Sequence, residues 1–405
     1  MKSVSPGRAD KSPPASLGDV AARVGVSEST VYRVLKGSDL VRGETRERVR
    51  RAMAELGYEA NRTARGARGR RAATIADVAR RAGVSEATVS RVVNGSTVVR
   101  GATRRRVQKA IAQLDYRPSA LARALSRGRA MALGVMVPFF VHPSAVERVR
   151  GAEREFTAAG YDTVLYNVST PAQVREQFAN LVGGPTDGVL VISVPPPRRD
   201  LERVLGRGVP VVLVDVRYPG LSQVYTDDVE GGELATRFLL ELGHRRVAFV
   251  GDFSENPYGF TSSANRCAGF RRAMRRAKLE VPLDYVKEGE HSRQVAVQLA
   301  SELLALPEPP TAIFAASDTQ AFGVLEAAAR MGIAVPERLS VIGFDDVEAA
   351  AYMGLTTVRQ PLEYSGSRGA RLLLDLNNGS RAEEPVVEKL PLELVRRRST
   401  APPPE

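Results

Sequence analysis

Two small all-α units followed by a two-lobed α/β region with parallel sheets are the fold class that this 405-residue sequence predicts. Three observations carry that expectation. One phrase is written twice, GVSESTVYRVLKG at 25–37 and GVSEATVSRVVNG at 83–95, an offset of 58 residues. Basic charge is confined to the first third: residues 1–130 hold 28 Lys+Arg against 11 Asp+Glu, and the remainder is slightly acidic although the net charge is +12. From Ala132 onward, short apolar runs alternate with helix-like stretches, the pattern of parallel strands covered on both faces.

Residues 1–15, with Ser, Pro and Lys, have the composition of a disordered leader. The repeat then aligns without a gap, about 25 of 40 positions being identical between Asp19–Tyr58 and Asp77–Tyr116. This divides the amino-terminal third into a first unit (16–60), a basic linker NRTARGARGRRAA (61–73) and a second unit (74–117). In the second unit Thr74 is the expected N-cap, and Ile75, Val78 and Ala79 form an apolar face at i, i+3, i+4. Gly83 turns the chain and Ser85 caps the next helix. Val89, Val92 and Val93 of that helix face inward, while Glu86, Ala87, Ser90 and Arg91 face outward. A third helix, about Gly101 to Leu114, places Val107, Ala110, Ile111 and Leu114 inside and Arg104, Arg105 and Arg106 outside.

Helix, glycine-bearing turn and a second helix with a polar outer face suit the major groove of B-DNA. Arg91 can donate a bidentate pair to guanine, Glu86 can accept from cytosine, and Thr88 and Ser90 can bond phosphate or base edges. Each of these residues alone is more often a plain surface side chain. Their spacing within a basic unit points to double-stranded DNA as a partner.

TIADVARRAGVSEATVSRVVNG, followed by TRRRVQKAIAQLDYRPSALARAL, resembles the LacI/GalR family of transcriptional repressors, and the likeness extends to about Ser399. The resemblance implies that Glu86, Ala87 and Arg91 read bases, with Thr74, Ser85 and Asn94 in the same interface. It also implies a hinge helix and linker over 118–130, in which Pro118 opens the helix and Leu121 and Leu125 share one face. A leucine wedged between base steps kinks the duplex and recovers the unstacking cost through added contacts. Mutual packing of Leu121 and Leu125 within a linker is the other reading. The first unit has Ala60, Thr63 and Ala67 at the corresponding positions, so it keeps a reading head and lacks the wedge. Its head offers Ser27, Glu28, Ser29, Thr30, Tyr32 and Arg33. Two readings stand for it: a second contact on an extended operator, the roughly 40 Å reach of a 13-residue linker exceeding the roughly 34 Å of one duplex turn, or a duplication with little energetic role.

ALGVMV, DGVLVIS, VPVVLVD, RVAFVG, TAIFAAS and LSVIGFD read as buried strands. They alternate with helical stretches near Ala145–Ala159, Gly231–Leu242, Ala264–Ala277, Gln294–Leu306 and Thr319–Met331, making residues 131–399 a two-lobed domain with a short tail, 400–405. Ligands on such sheets bind beyond the carboxyl ends of strands, where Asp215, Asp318 and Asp345 with Asp346 follow apolar runs. Each aspartate is equally a helix N-cap candidate. The family resemblance implies a periplasmic-binding-protein-like effector domain that dimerises, with Arg266, Ser317, Asp318 and Asp345 toward a small-molecule effector, a sugar or nucleoside-like metabolite. One departure stands out: where the family has an aromatic pair, FFVHPSA (139–145) carries Ser144 and Ala145, which leaves Phe139 and Phe140 as the aromatic candidates. The loop before Leu355 is also short.

Catalysis finds no support: His142, His244 and His291 lack metal-ligand spacing, there is no P-loop, G-x-G-x-x-G or G-x-S-x-G, and no cofactor is implied. His244 is expected to end a helix. The single Cys267 excludes an internal disulfide, and no long apolar run opens the chain, so a soluble cytoplasmic protein is expected. A solute-binding protein and an effector-independent architectural DNA binder are the competing functions. A signal peptide would mark the first, and a steep salt slope with little sequence preference the second.

Overall fold

A computed structural model of the chain describes residues 17–27, 30–31, 34, 41, 43–56, 73–93, 96–116, 129–256, 258–379 and 384–404. The chain divides into two compact units, Met1–Pro118 and Ser119–Glu405.

In the first unit, α1 (Leu17–Val24) and α2 (Gly43–Glu55) belong to the first copy, with Thr30, Val31 and Val34 helical between them. The second copy forms α3 (Ile75–Ala82), α4 (Glu86–Val93) and α5 (Gly101–Leu114). Thr74 starts α3 through a capping box: its hydroxyl accepts the Asp77 amide while the Asp77 carboxylate accepts the Thr74 amide. Gly83 ends α3 at φ 63°, left-handed backbone that a side chain would strain. Val78, Val89 and Val107 are fully buried at the centre of this head, and Ile75, Val92, Val93, Ile111 and Leu114 pack around them half-buried. The first head closes on its own cluster of Val20, Val31, Val34, Val41 and Val49.

The second unit holds two six-stranded sheets. The first contains β1 (Ala132–Pro138), β2 (Asp162–Val168), β3 (Val189–Ile192), β4 (Val211–Val214), β5 (Ser222–Thr226) and β11 (Val387–Leu390), ordered β11-β5-β4-β3-β1-β2 and parallel throughout. The second contains β6 (Val247–Asp252), β7 (Val286–Gly289), β8 (Ala312–Ala315), β9 (Ser340–Asp345), β10 (Thr356–Arg359) and β12 (Glu393–Val395), ordered β12-β10-β9-β8-β6-β7, with only β12 antiparallel. The chain passes between the lobes after β5, after β10 and after β11. β1, β3, β4, β6, β8 and β9 fall on the six apolar runs, and all six are buried almost end to end because helices cover both faces.

The five helices read from sequence are α6 (Pro143–Ala158), α9 (Asp228–Glu241), α10 (Ser262–Arg276), α11 (Arg293–Leu304) and α12 (Asp318–Arg330). Four more were not read: α7 (Pro171–Leu181), α8 (Arg198–Gly206), α13 (Glu348–Met353) and α14 (Leu362–Asn377). Helices α6 and α14 touch backbone to backbone, since a Cβ on Gly366 would stand 1.9 Å from the Arg148 carbonyl oxygen. This approach brings Arg148 to the base of the cleft. His244 follows the end of α9, and its ring is buried between Thr311 Oγ1 (2.9 Å), Ser340 Oγ (3.0 Å) and the Ala401 carbonyl (2.9 Å). It anchors the carboxyl-terminal strap to the second sheet.

Candidate DNA-reading face and effector cleft

On the second head, Ser85 accepts the Thr88 amide at 3.3 Å and so starts α4. The burial of Val89 forces Glu86, Ala87 and Arg91 outward, and all three are exposed; Thr88 and Ser90 are half-buried beside them. Thr74 is the N-cap expected of it, its hydroxyl bonded to Asp77 within the cap. Arg100, Thr103, Arg105, Arg106 and Lys109 line a shallow basic depression at the start of α5. Such a surface attracts phosphates and positions the reading helix without specifying sequence. Glu28, Ser29, Tyr32, Arg33, Asn94, Leu121 and Leu125 lie outside the described residues.

In the second unit the carboxyl ends of strands from both sheets converge on a chain of buried polar groups. Ser193 donates to Asp215 (2.6 Å), and Asp215 pairs with Arg148 (2.9 Å). Arg148 and Thr226 both donate to Gln360 Oε1, at 3.1 and 2.9 Å. Gln360 Nε2 donates to Asp345 at 2.7 Å, and Arg266 stands 3.7 Å from Asp345. Arg266 also binds Asp228 at 2.8 Å, donates to the Ala316 carbonyl at 2.6 Å and lies 3.7 Å over the Phe344 ring. Gln360 occupies the second crossing and thereby ties both lobes to one network. Its amide orientation follows from acceptors on one side and donors on the other.

Burial raises the Asp345 carboxyl, against the opposing charges of Arg266 and Arg148. Burial likewise pushes Asp228 up to about 6, with Arg266 pulling the other way. Burial alone would lower Arg266, but Asp228 and Asp345 outweigh it and keep the guanidinium charged. The cavity between Arg148, Asp215, Gln360 and Ser365 measures about 10 Å³, room for a water-sized group. A larger ligand must therefore exchange its own hydroxyls for these protein-to-protein bonds.

Around the cleft mouth, Phe139 meets Tyr258 edge-on at 5.2 Å, Tyr258 stacks on Phe260 at 5.1 Å, and the Tyr258 hydroxyl reaches the Ser169 carbonyl at 2.6 Å. His142 lies 4.7 Å from His291, whose Nδ1 bonds Asp252 at 3.0 Å. Burial and the neighbouring His291 lower His142 to about 4. For His291 burial acts downward, but the Asp252 hydrogen bond and charge raise it overall. Among the described residues no group of three or more His, Cys, Asp or Glu is arranged to hold a metal ion.

Backbone strain gathers here. Phe139 (φ 44°), Ser193 (59°), Asp215 (63°), Asp345 (119°) and Asp346 (60°) all take positive φ at strand ends facing the cleft. Such conformations cost about 1–3 kcal/mol each and persist where the surroundings hold the side chain in place.

Of the effector residues expected from sequence, Arg266 and Asp345 lie in the network and Phe139 at the mouth. Phe140 is exposed, and its amide bonds Asn167. Ser317 and Asp318 stand outside that chain of bonds, Ser317 joining the mouth through Gln320, which donates to Asp252 at 2.9 Å. Ser317 is the N-cap of α12, its hydroxyl held by Gln320. Asp318 is fully buried, accepting from Thr357 Oγ1 (2.6 Å) and the Val347 amide (2.9 Å), and so fastens the β9–α13 turn. Neither Asp215 nor Asp345 caps a helix. Sequence reasoning missed Arg148, Asp228, Gln360, His142, His291, Tyr258 and Phe260. Arg148 had a signal: it is the charge within the otherwise apolar buried stripe Ala145, Gly151, Ala152, Phe156 of α6.

Comparison with known proteins places these features. The family described as "Bacterial regulatory proteins, lacI family" matches twice, over residues 16–61 and 74–119, and "Periplasmic binding protein-like domain" matches residues 236–400. The chain is 34% identical over 331 residues to the HTH-type transcriptional repressor PurR of Vibrio parahaemolyticus, covering 80% of this chain and 98% of that one. It is also 34% identical over 331 residues to the ribose operon repressor of Escherichia coli, covering 80% and 97%. Among solved structures, the Lac repressor dimer bound to operator and the anti-inducer ONPF has TM-score 0.71 at 27% identity, covering 82% of this chain and all of that one. A complex of the transcriptional regulator CelR with cellobiose has TM-score 0.60 at 32% identity, covering 81% and 99%.

Proposed function

Because this chain belongs to the LacI family of bacterial regulatory proteins, we infer that it is a sequence-specific transcriptional repressor whose grip on its operator is set by a small molecule in the cleft. One observation carries the reading: a basic head with Glu86, Ala87 and Arg91 on its outer helix precedes a cleft in which Gln360 joins a carboxylate and guanidinium network across both lobes.

The effector is a sugar or nucleoside-like metabolite. Alternating carboxylates and guanidinia serve hydroxyl groups that both donate and accept, and Phe139, Tyr258 and Phe260 offer aromatic faces to a sugar ring or a base. The names of the relatives, a ribose operon repressor and a regulator bound to cellobiose, support that class. Ligand hydroxyls displace bonds such as Gln360 to Asp345 and Arg148 to Gln360, which changes how the lobes sit on their crossings. β1 leads back through residues 118–130 to the second head, so lobe geometry alters the spacing of two heads in a homodimer. Effector and operator affinities are then coupled reciprocally. The likeness to the Lac repressor dimer supports dimerisation, and Leu121 and Leu125 are the proposed wedge into the minor groove. The protein acts at bacterial DNA in the cytoplasm and catalyses no reaction. Among the described residues no helix is long and apolar enough to cross a membrane.

The test pairs selection of bound duplexes from a random pool with a thermal-shift screen of pentoses, hexoses, disaccharides and nucleosides. The account expects an enriched, roughly palindromic motif and at least one compound that raises the melting temperature in the wild type and not in Asp345→Asn. A ligand that stabilises both proteins equally would remove the cleft from the mechanism.

A further inference from the structure

We propose that the first head is a second DNA-reading module, with its own base preference, held beside the principal site by the linker. The proposal rests on the operator-binding reading of the second head and goes beyond it. The PurR and ribose operon repressors are covered almost end to end by four fifths of this chain, which leaves roughly the length of one head and its linker beyond the match.

The added head keeps the core and turn of a working reader. Val20, Ala21, Val31, Val49 and Ala52 are 0, 5, 0, 0 and 4% exposed, against 0, 5, 0, 0 and 3% for Val78, Ala79, Val89, Val107 and Ala110. Gly25 turns at φ 71° where Gly83 turns at 63°. The Val26 amide reaches the Ala21 carbonyl at 3.1 Å, as Val84 reaches Ala79. Ser27 and Thr30 repeat the 2.9 Å hydroxyl contact and the 3.3 Å amide bond of Ser85 and Thr88. This turn sets the direction in which the second helix leaves the first, and that direction lets it enter a major groove.

Differences between the copies leave the core apolar and change the outside. Among described exposed positions, Ala22 stands for Arg80, Glu44 for Ala102, Glu47 for Arg105 and Glu55 for Gln113. In the reading stretch Glu28 and Arg33 repeat Glu86 and Arg91, while Ser29, Tyr32 and Lys36 replace Ala87, Ser90 and Asn94. The donors and acceptors for guanine and cytosine are thus kept, and Tyr32 adds apolar surface that a thymine methyl can meet. Residues 17–56 hold eight basic and six acidic side chains, against eight and two in residues 75–114. Phosphate attraction is accordingly weaker in the first head. It binds as a tethered auxiliary, effective because the second head raises its local concentration.

The experiment uses the full chain on the duplex it enriches from a random pool, with footprinting and titration of wild type, Arg33→Ala, Val31→Asp and Arg91→Ala. Arg33→Ala and Val31→Asp should both shorten the protected segment at its outer ends and weaken binding roughly 10-fold. On a duplex trimmed of those ends, wild type and Arg33→Ala should bind alike. If both variants keep wild-type footprint and affinity, the proposal is overturned, and equally so if only Val31→Asp has an effect, since the head would then serve by folding and not by reading. Loss of specific binding in Arg91→Ala alone would leave the operator-binding reading intact while refuting this one. Failure of the wild type to enrich any duplex would overturn both.

Discussion

Replacing Arg266 by methionine removes a buried cation while keeping most of the side chain's length. Arg266 is 6% exposed, its guanidinium bonded to Asp228 and the Ala316 carbonyl, with Asp345 at 3.7 Å. Breaking one partner out of a buried pair costs about 3–5 kcal/mol, because the remaining charge stays desolvated. Asp228 limits that cost by taking up a proton, and its carboxyl already titrates at about 6 beside Arg266. A carboxyl whose folded pKa is raised loses stability as pH climbs from its unfolded value to its folded one. For the wild type that loss ends near pH 6; in Arg266→Met, where the pKa rises further, it continues at about 1.4 kcal/mol per pH unit. The variant should therefore be less stable by about 3–5 kcal/mol near pH 7.5, and by roughly 2 kcal/mol less than that near pH 5.5. The chain has no Trp, so urea unfolding is followed by circular dichroism. Arg266→Met with Asp228→Asn should recover much of the loss. A penalty below about 1 kcal/mol, or one equal at both pH values, would refute the reasoning.

Thr74→Ala should lower the stability of the second head by about 1 kcal/mol through loss of the capping box, read from its melting as a shift toward lower temperature. Gly366→Ala should cost about 3 kcal/mol in urea unfolding, because the added methyl meets the Arg148 carbonyl and pushes α6 from α14. His142, lowered to about 4, contributes stability that is lost as pH falls from its unfolded value of about 6.5, so His142→Phe should flatten the melting temperature between about pH 6.5 and 4. Asp228→Asn should act in the opposite sense, removing a loss that occurs as pH rises toward about 6.

The heads were legible because a small helical unit states itself locally: a cap at Thr74, a turn at Gly83 and apolar spacing that buries Val78, Val89 and Val107. Buried parallel strands were equally plain, since helices on both faces leave uninterrupted apolar runs. Helix α7, opening on Thr170 and Pro171, and helix α8, with five charged residues among nine, blur into loop composition and escaped notice. The cleft was harder to read. Asp215, Asp318 and Asp345 look alike in sequence, each following an apolar run, yet Asp318 ends among Thr357 and Val347 while the others reach the network. What separates them is long-range pairing and positive φ at strand ends, neither of which local pattern encodes. Gln360 gave no local sign of its place because that place comes from a lobe crossing.

The most direct measurement of the central claim is a competition titration of the purified full chain against its enriched duplex and a scrambled duplex of equal length, repeated across salt and with each compound that shifts the melting temperature. The account predicts a preference of about 10³-fold or more for the enriched duplex, altered by a cleft ligand and insensitive to that ligand in Asp345→Asn. Equal affinity for both duplexes at every salt concentration, with no compound changing either, would contradict it.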